Sequence, residues 1–436
     1  MKIKYMLNID YALLLPVMFL TTIGILFIYS SGITSSGNNV SGEYIKQIIW
    51  ASAGLVIAIV LSLMNYRRIY HFSLYLYFIS IALLLYTCFL GHTVNGAKAW
   101  IGIGSFGIQP SEFAKITTII LLAQFLDMTK RSSNELTRFF ISCVIVLLPM
   151  LLVLIQPDFG TSLVFIPILL TMTFIAGISL HYIFFLILII ALSGVLMVIP
   201  LWQMYISKTS FFILNLLNNK SFILIVCALF LLIFFIALFG FLRYKKKYFF
   251  WIDYGAIICV TSLLISFAAQ KILKEYQIKR LIVFLNPEID PLDSGWNIIQ
   301  SITAIGSGGV LGKGYLQGTQ SHYRFLPQQS TDFIFSIFSE ESGFISGVLV
   351  FALFLLICMR LVKIMKTTTD SFGVYIVAGL AGMYVFHFLI NVGMVMGIMP
   401  ITGIPLLFMS YGGSSLISAM IGIGLALSIH MRRFQY

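Results

Sequence analysis

Residues Ser221 to Phe250 read SFILIVCALFLLIFFIALFGFLRYKKKYFF, an apolar run closed by a cluster of cations. No charge interrupts it before Arg243. A helix of about 20 apolar residues is long enough to cross a hydrocarbon core of roughly 30 Å. Backbone in lipid must bond to itself, so a run of this kind is read as a helix. Arg243, Lys245, Lys246 and Lys247 then mark a membrane edge, and a second apolar run follows from about residue 250.

The same pattern recurs along the whole chain. Of 436 residues, 60% are apolar and only 10% are charged, at a mean hydropathy of +1.01. No water-soluble core hides so much apolar surface. Twelve spans are expected, at roughly 11–31, 46–64, 70–90, 111–127, 138–155, 160–178, 182–201, 222–242, 250–270, 332–358, 371–392 and 404–430. The fold class is all-α, a polytopic bundle of about 12 transmembrane helices. The first run is too long for a signal-peptide core and lacks a convincing cleavage site. Cys88, Cys143, Cys227, Cys259 and Cys358 all sit in apolar runs without CxxC spacing, as small packing residues do.

A net charge of +12 raises the question of nucleic acid, but the cations lie in short clusters between apolar runs, where topology signals lie. Nucleic-acid binding is therefore not expected. With the N-terminus inside, the inner segments hold 16 of the 27 basic residues, while the short outer ones hold only Lys46, Lys98, Lys208 and Lys220. This orientation puts three stretches outside: Gly91 to Pro110, Gln156 to Ser162, and a long loop over 271–331. A loop that long is usually functional or disordered. Trp296, Tyr315, Phe325 and many aliphatics argue against disorder.

Polar groups stand at several expected boundaries. Glu112 and Lys115 are three apart at the head of the fourth span, so they share a helix face and can pair. Asp158 closes the fifth span, and Glu340 with Glu341 enters the tenth. Charge in lipid costs at least ~2.5–3.5 kcal/mol, so such groups face partners or a cavity. For Glu112–Lys115 a structural pair and a functional pair both remain open. Glu340 and Glu341 read as structural or cavity-lining. IQPSEF (108–113) and LIQPDFG (154–160) are imperfectly similar, each with an acid shortly after Gln-Pro, and helix capping alone suffices to explain both. No inverted repeat of the transporter kind is evident.

The glycine-rich string AIGSGGVLGKGYLQGTQS (304–321) lacks the strand and the GK[ST] ending of a P-loop, although its amides suit an anion. The six histidines show no metal-ligand spacing, and His387 reads as a packed, hydrogen-bonded histidine. Trp100 suits an interfacial anchor or a sugar platform. NPEIDPLDSGWNIIQS (286–301) gathers Glu288, Asp290 and Asp293 in a chain with only 15 acids. Each of the three can solvate the loop, cap a short helix or act as a base. Asp290 differs in that Pro291 follows and biases its backbone towards extended conformations.

Seven stretches carry a resemblance. QPSEFAKI, QPDFGTSLVF, FLNPEIDPLDSGWNIIQS, AIGSGGVLGKG, GTQS, FLPQQSTDFIFS and GIMPITGIPLLFMSYGGSS come in the order of the SEDS family, the shape, elongation, division and sporulation polymerases of bacterial peptidoglycan. The chain resembles this family from the first span to the C-terminus, as a single membrane domain over 1–436. The string GSGGVLGKG…GTQS…FLP is more similar to the elongation (RodA) branch than to the division (FtsW) branch. Ser330, Leu407 and Trp296 depart from residues usual in the family, and none of these changes removes an acid. Ten spans are usual, so 205–250 is expected to be an insertion adding two.

The resemblance implies glycan polymerisation from lipid II at the outer face of the bacterial cytoplasmic membrane, with undecaprenyl diphosphate leaving. It places the essential acid of the motif P-x-x-D-P at Asp290. It implies a substrate cavity with Lys98, Trp100, Gln109, Glu112, Lys115, Asp158, Gln300, Ser301, Lys313, Gln320, Asp332, Glu340, Ser410 and Ser414 about it. It also implies a divalent cation, Mg2+ or Mn2+, whose ligands the sequence does not identify. The implied partners are a class B penicillin-binding protein, which cross-links the strands, and other membrane proteins of the elongation complex. Two other classes stay open: a flippase for the lipid-linked precursor, and a scaffold without turnover. The acid-bearing outer loop speaks against the flippase.

Overall fold

The computed structural model describes the chain except residues 1–8, 35–36, 39, 95, 103–106, 132–133, 204–219, 273–274, 290–293 and 436. Helices occupy all twelve expected spans: α1 (Tyr11–Ser31), α2 (Glu43–Leu63), α3 (Arg67–Leu90), α4 (Pro110–Met128), α5 (Glu135–Ile155), α6 (Phe159–Leu163) with α7 (Phe165–Ile175), α8 (Leu180–Trp202), α9 (Lys220–Tyr244), α10 (Lys247–Ile272), α14 (Ile334–Thr367), α15 (Ser371–Val395) and α16 (Gly413–Met431). Between α3 and α4, β1 (His92–Val94) and β2 (Ala97–Trp100) form a small hairpin. The long loop holds α11 (Glu275–Leu285), α12 (Ser294–Ser307) and α13 (Thr319–His322).

Among the described residues, 10 helices are long and apolar enough to cross a membrane, and the protein is a multi-pass helical membrane protein. Two expected spans are not among the 10. Helix α4 carries Glu112, Lys115 and Asp127, and α6–α7 is a broken apolar segment over Phe159–Ile175. The last span needs a correction, because helix starts at Gly413 rather than near 404. Residues 401–412 are apolar enough for a span, but Gly403 and Phe408 have φ of 71° and 69°, and Pro405 lacks an amide hydrogen. Irregular backbone of this kind survives in a membrane protein only where it is buried in protein or lines a water-filled cavity.

The chain forms two compact units, one of residues 1–178 and 299–436, the other Ser179–Ile298. In the second, α8, α9 and α10 pack together around Ile223, Cys227 and Leu263, and the Tyr254 hydroxyl donates to the His181 carbonyl at 2.8 Å. In the first, α2 packs on α16, α3 on α4, α1 on α14, and α15 against α4, α7 and α14. Helix α16 is almost wholly buried, because its small residues let neighbours approach.

Side-chain caps start several helices. Asp10 accepts from the Leu13 amide at 3.2 Å and Asp370 from the Gly373 amide at 3.3 Å. Each cap also meets a distant arginine: Arg360 lies 2.6 Å from Asp10, and Arg67 lies 2.6 Å from Asp370. These pairs tie α1 to α14 and α3 to α15.

Candidate functional site

Helix α4 opens with Pro110, whose missing amide hydrogen costs nothing in a first turn. Two residues on, Glu112 turns into the protein, and Lys115 lies one turn below on the same face. The Lys115 ammonium is 2.8 Å from both Glu112 carboxylate oxygens. Both side chains are buried, at 2% and 0% exposure, so neither charge is answered by water. The Ser418 hydroxyl on α16 donates to Glu112 Oε2 at 3.2 Å. Ser111 Oγ, also buried, makes no hydrogen bond in the structure.

His387 on α15 completes the group. Its Nδ1 is 3.1 Å from the Pro405 carbonyl oxygen and its Nε2 is 3.1 Å from Lys115 Nζ. A carbonyl only accepts, so Nδ1 carries the proton; Nε2 is left with a lone pair that accepts from Lys115. One turn along α15, Asn391 donates to the Ile404 carbonyl at 2.8 Å and to the Asp332 carbonyl at 3.0 Å. From α2, Gln47 donates to the Ser410 carbonyl at 3.0 Å, while the Ser410 hydroxyl accepts from the Leu406 amide at 2.9 Å. These bonds hold the 401–412 strap without helix.

Gln109, just before α4, donates from Nε2 to Asp158 at 2.7 Å and from its amide to Ser414 Oγ at 2.9 Å. Asp158 caps α6 through the Thr161 amide at 3.1 Å. Burial pushes its carboxyl above the usual carboxylate range, against the bonds from Thr161 that lower it. Gln109, Asp158 and Ser414 thus form one hydrogen-bonded group, Glu112 and Lys115 form a second that acts on Asp158 electrostatically, and Ser410 belongs to the strap.

A second acidic group sits on α14. Glu340 Oε1 accepts from Lys313 Nζ at 2.7 Å and from the amides of Thr319 and Gln320 at 2.9 and 3.1 Å. Glu341 accepts from the Ser30 hydroxyl at 2.5 Å and the Leu316 amide at 3.0 Å. The glycine-rich string wraps these carboxylates, and the Lys313 and Gly314 amides bond the Glu340 and Glu341 carbonyls. Its amides hold an anion, but one belonging to the chain itself. The wrap requires backbone contact: Gly343 has φ 76°, and a Cβ there would lie 2.2 Å from the Gly312 nitrogen.

Other expected residues are elsewhere. Lys98, on strand β2 with Trp100, donates to the Phe89 carbonyl at 2.7 Å. Ser301 is buried between Ser336, at 2.6 Å, and the Val395 carbonyl, at 2.7 Å. Gln300 is half-buried on α12, Gln320 Oε1 is buried without a hydrogen bond, and the Asp332 carbonyl accepts from Asn391. Asp290 and Asp293 lie outside the described residues. The sequence did not single out Ser418, Asn391, Gln47 or Ser30. The spacing of His387 and Asn391, four apart in an apolar helix, was the available signal.

A family model described as cell cycle protein, covering FtsW, RodA and SpoVE, matches residues 11–222 and 209–435. The chain belongs to this family. A relative from Treponema pallidum, named peptidoglycan glycosyltransferase RodA, is 49% identical over 99% of this chain and 100% of its own length. The peptidoglycan glycosyltransferase MrdB of Escherichia coli K12 is 32% identical over 96% of this chain and 94% of its own. A solved structure on coordination of polymerization and crosslinking by a peptidoglycan synthase complex contains a chain of the same fold. The TM-score is 0.67 at 24% identity, over 98% of this chain and 99% of that one. In this FtsW/RodA/SpoVE member the two matched segments meet at 209–222, inside the expected insertion.

Proposed function

We propose that the chain joins lipid II units into glycan strands at the outer face of the bacterial cytoplasmic membrane, with Asp290 as the base. It is a peptidoglycan glycosyltransferase of the elongation type, as its whole-length kinship with RodA and MrdB shows. The observation that carries the finer reading is the buried Glu112–Lys115–His387 group, a cation held in the protein interior by side chains alone.

The reaction needs a proton taken and a negative charge received. Asp290 accepts the proton of the acceptor sugar's hydroxyl as that oxygen attacks the donor's anomeric carbon. The bond from that carbon to the diphosphate breaks, and undecaprenyl diphosphate carries the electron pair away. Lys115 is a cation suited to the charge that gathers there, because a buried ammonium acts through a low dielectric.

A divalent cation, Mg2+ or Mn2+, enters this proposal through family resemblance alone. Among the described residues no group of three or more His, Cys, Asp or Glu side chains is arranged to hold a metal. Glu112 and Glu340 are already neutralised by Lys115 and Lys313. The described carboxylates therefore do not fit the ion, and no step is routed through it. A class B penicillin-binding protein, with other elongation-complex membrane proteins, is the proposed partner. Likeness in fold to a chain in a peptidoglycan synthase complex, which coordinates polymerization and crosslinking, supports it.

Purified protein in lipid nanodiscs, given labelled lipid II with and without the partner transpeptidase, tests the function. Glycan strands and free undecaprenyl diphosphate are expected. Translocated but unpolymerised lipid II would instead identify a flippase.

A further inference from the structure

We infer that His387 is a positioning residue for Lys115: its Nε2 lone pair holds the ammonium in place without cancelling its charge. This role rests on Lys115 serving the leaving diphosphate, as proposed above. An ammonium has three N–H groups. Two contacts go to Glu112 Oε1 and Oε2, each at 2.8 Å, and one to His387 Nε2 at 3.1 Å. The two acceptors differ in kind. Glu112 neutralises the charge it binds, whereas neutral imidazole only fixes a direction. When a substrate phosphate competes with Glu112, His387 still holds one N–H, so the ammonium turns about a fixed point.

The lone pair is where it is because of the strap. Pro405's carbonyl takes the Nδ1 proton, which leaves Nε2 as the acceptor. Pro405 sits in the irregular 401–412 segment, whose carbonyls at Ile404 and Ser410 are tied by Asn391 and Gln47. Had this segment been helical, its carbonyls would have been taken by intrahelical bonds. The other ionisable groups around Lys115 are Glu112 on its own helix and Asp158 at the head of α6, while α16 presents Ser418 to Glu112.

A competing view makes His387 a fastener for the strap and nothing more. Two substitutions separate the ideas, because asparagine replaces the Nδ1 side of imidazole and glutamine the Nε2 side. His387→Asn keeps a donor for Pro405 and deletes the acceptor facing Lys115. His387→Gln keeps an acceptor near Nε2. Turnover on labelled lipid II is measured per folded protein, with folding followed by thermal unfolding. His387→Asn is expected to lose about tenfold or more in kcat, as for one lost hydrogen bond to a charge. Its KM should change by less than about threefold, because the loss is felt as charge develops. His387→Gln should recover most of the turnover.

Wild-type kcat in His387→Asn, or equal losses in both variants, overturns the role. The double variant Glu112→Gln/Lys115→Met separates this failure from that of the underlying reading. If the double variant polymerises normally, Lys115 does not serve the reaction and the His387 role falls with it. If it is inactive while His387→Asn is normal, only the His387 inference fails.

Discussion

The two buried acidic groups of the first unit differ in what answers their charge. Glu340 and Glu341 are met in part by backbone, the amides of Leu316, Thr319 and Gln320, together with the side chains of Lys313, Thr319, Ser30 and His322. Glu112 is met by side chains only, Lys115 and Ser418, and Lys115 in turn leans on His387. Backbone amides cannot leave without unfolding the loop that carries them. Side chains can turn to another partner. The first arrangement is a clasp holding the glycine-rich string to α14, and the second has the freedom that a substrate requires.

This contrast is sharpest when each carboxylate is removed. We predict that Glu340→Leu costs about 3–5 kcal/mol, because Lys313 and two amides lose their acceptor together. Thermal unfolding and membrane yield report it, and an unchanged melting temperature would show that the clasp is dispensable. The neutral pair Glu112→Gln/Lys115→Met should fold within about 1 kcal/mol of wild type, since removing both charges leaves neither buried alone. Its glycan synthesis should fall about 10²-fold. Loss of folding with no specific loss of activity would make this pair a clasp as well.

A smaller effect is expected at the seam of the clasp. Gly343→Ala must adopt φ 76° and push its Cβ against the Gly312 backbone, so about 2–3 kcal/mol should be lost. A melting temperature equal to wild type would mean that the Gly343–Gly312 contact yields easily and does not hold the clasp. The smallest effect is at Arg67, whose side chain is 45% exposed. Arg67→Ala should cost no more than about 1 kcal/mol, because water and salt screen its pair with Asp370.

The twelve helical segments were legible because apolar length is a local property. The exception is instructive: 404–412 is apolar enough to read as span, yet Gly403, Pro405 and three distant side chains hold it irregular. The Glu112–Lys115 contact was legible from i,i+3 spacing. Its third member was not, since His387 is 272 residues from Lys115 and only the packing of α15 on α4 brings them together. The clasp was hidden for a similar reason. Nothing local to Glu340 announces that amides about 20 residues earlier fold back onto it. At Asp290 the proline that follows and the family motif, rather than any described geometry, distinguish the acid from its neighbours.

The central claim is glycosyl transfer with Asp290 as the base, and Asp290→Asn tests it most directly. The substitution keeps the side chain's shape and removes its charge. In nanodiscs with labelled lipid II, the variant should insert, fold and bind its partner as the wild type does. Its glycan synthesis should fall by about 10²–10⁴-fold, the usual loss for one positioned base. Strands made at near the wild-type rate would contradict the claim, since Asp290 would then be only a solvated loop acid and the base would lie elsewhere.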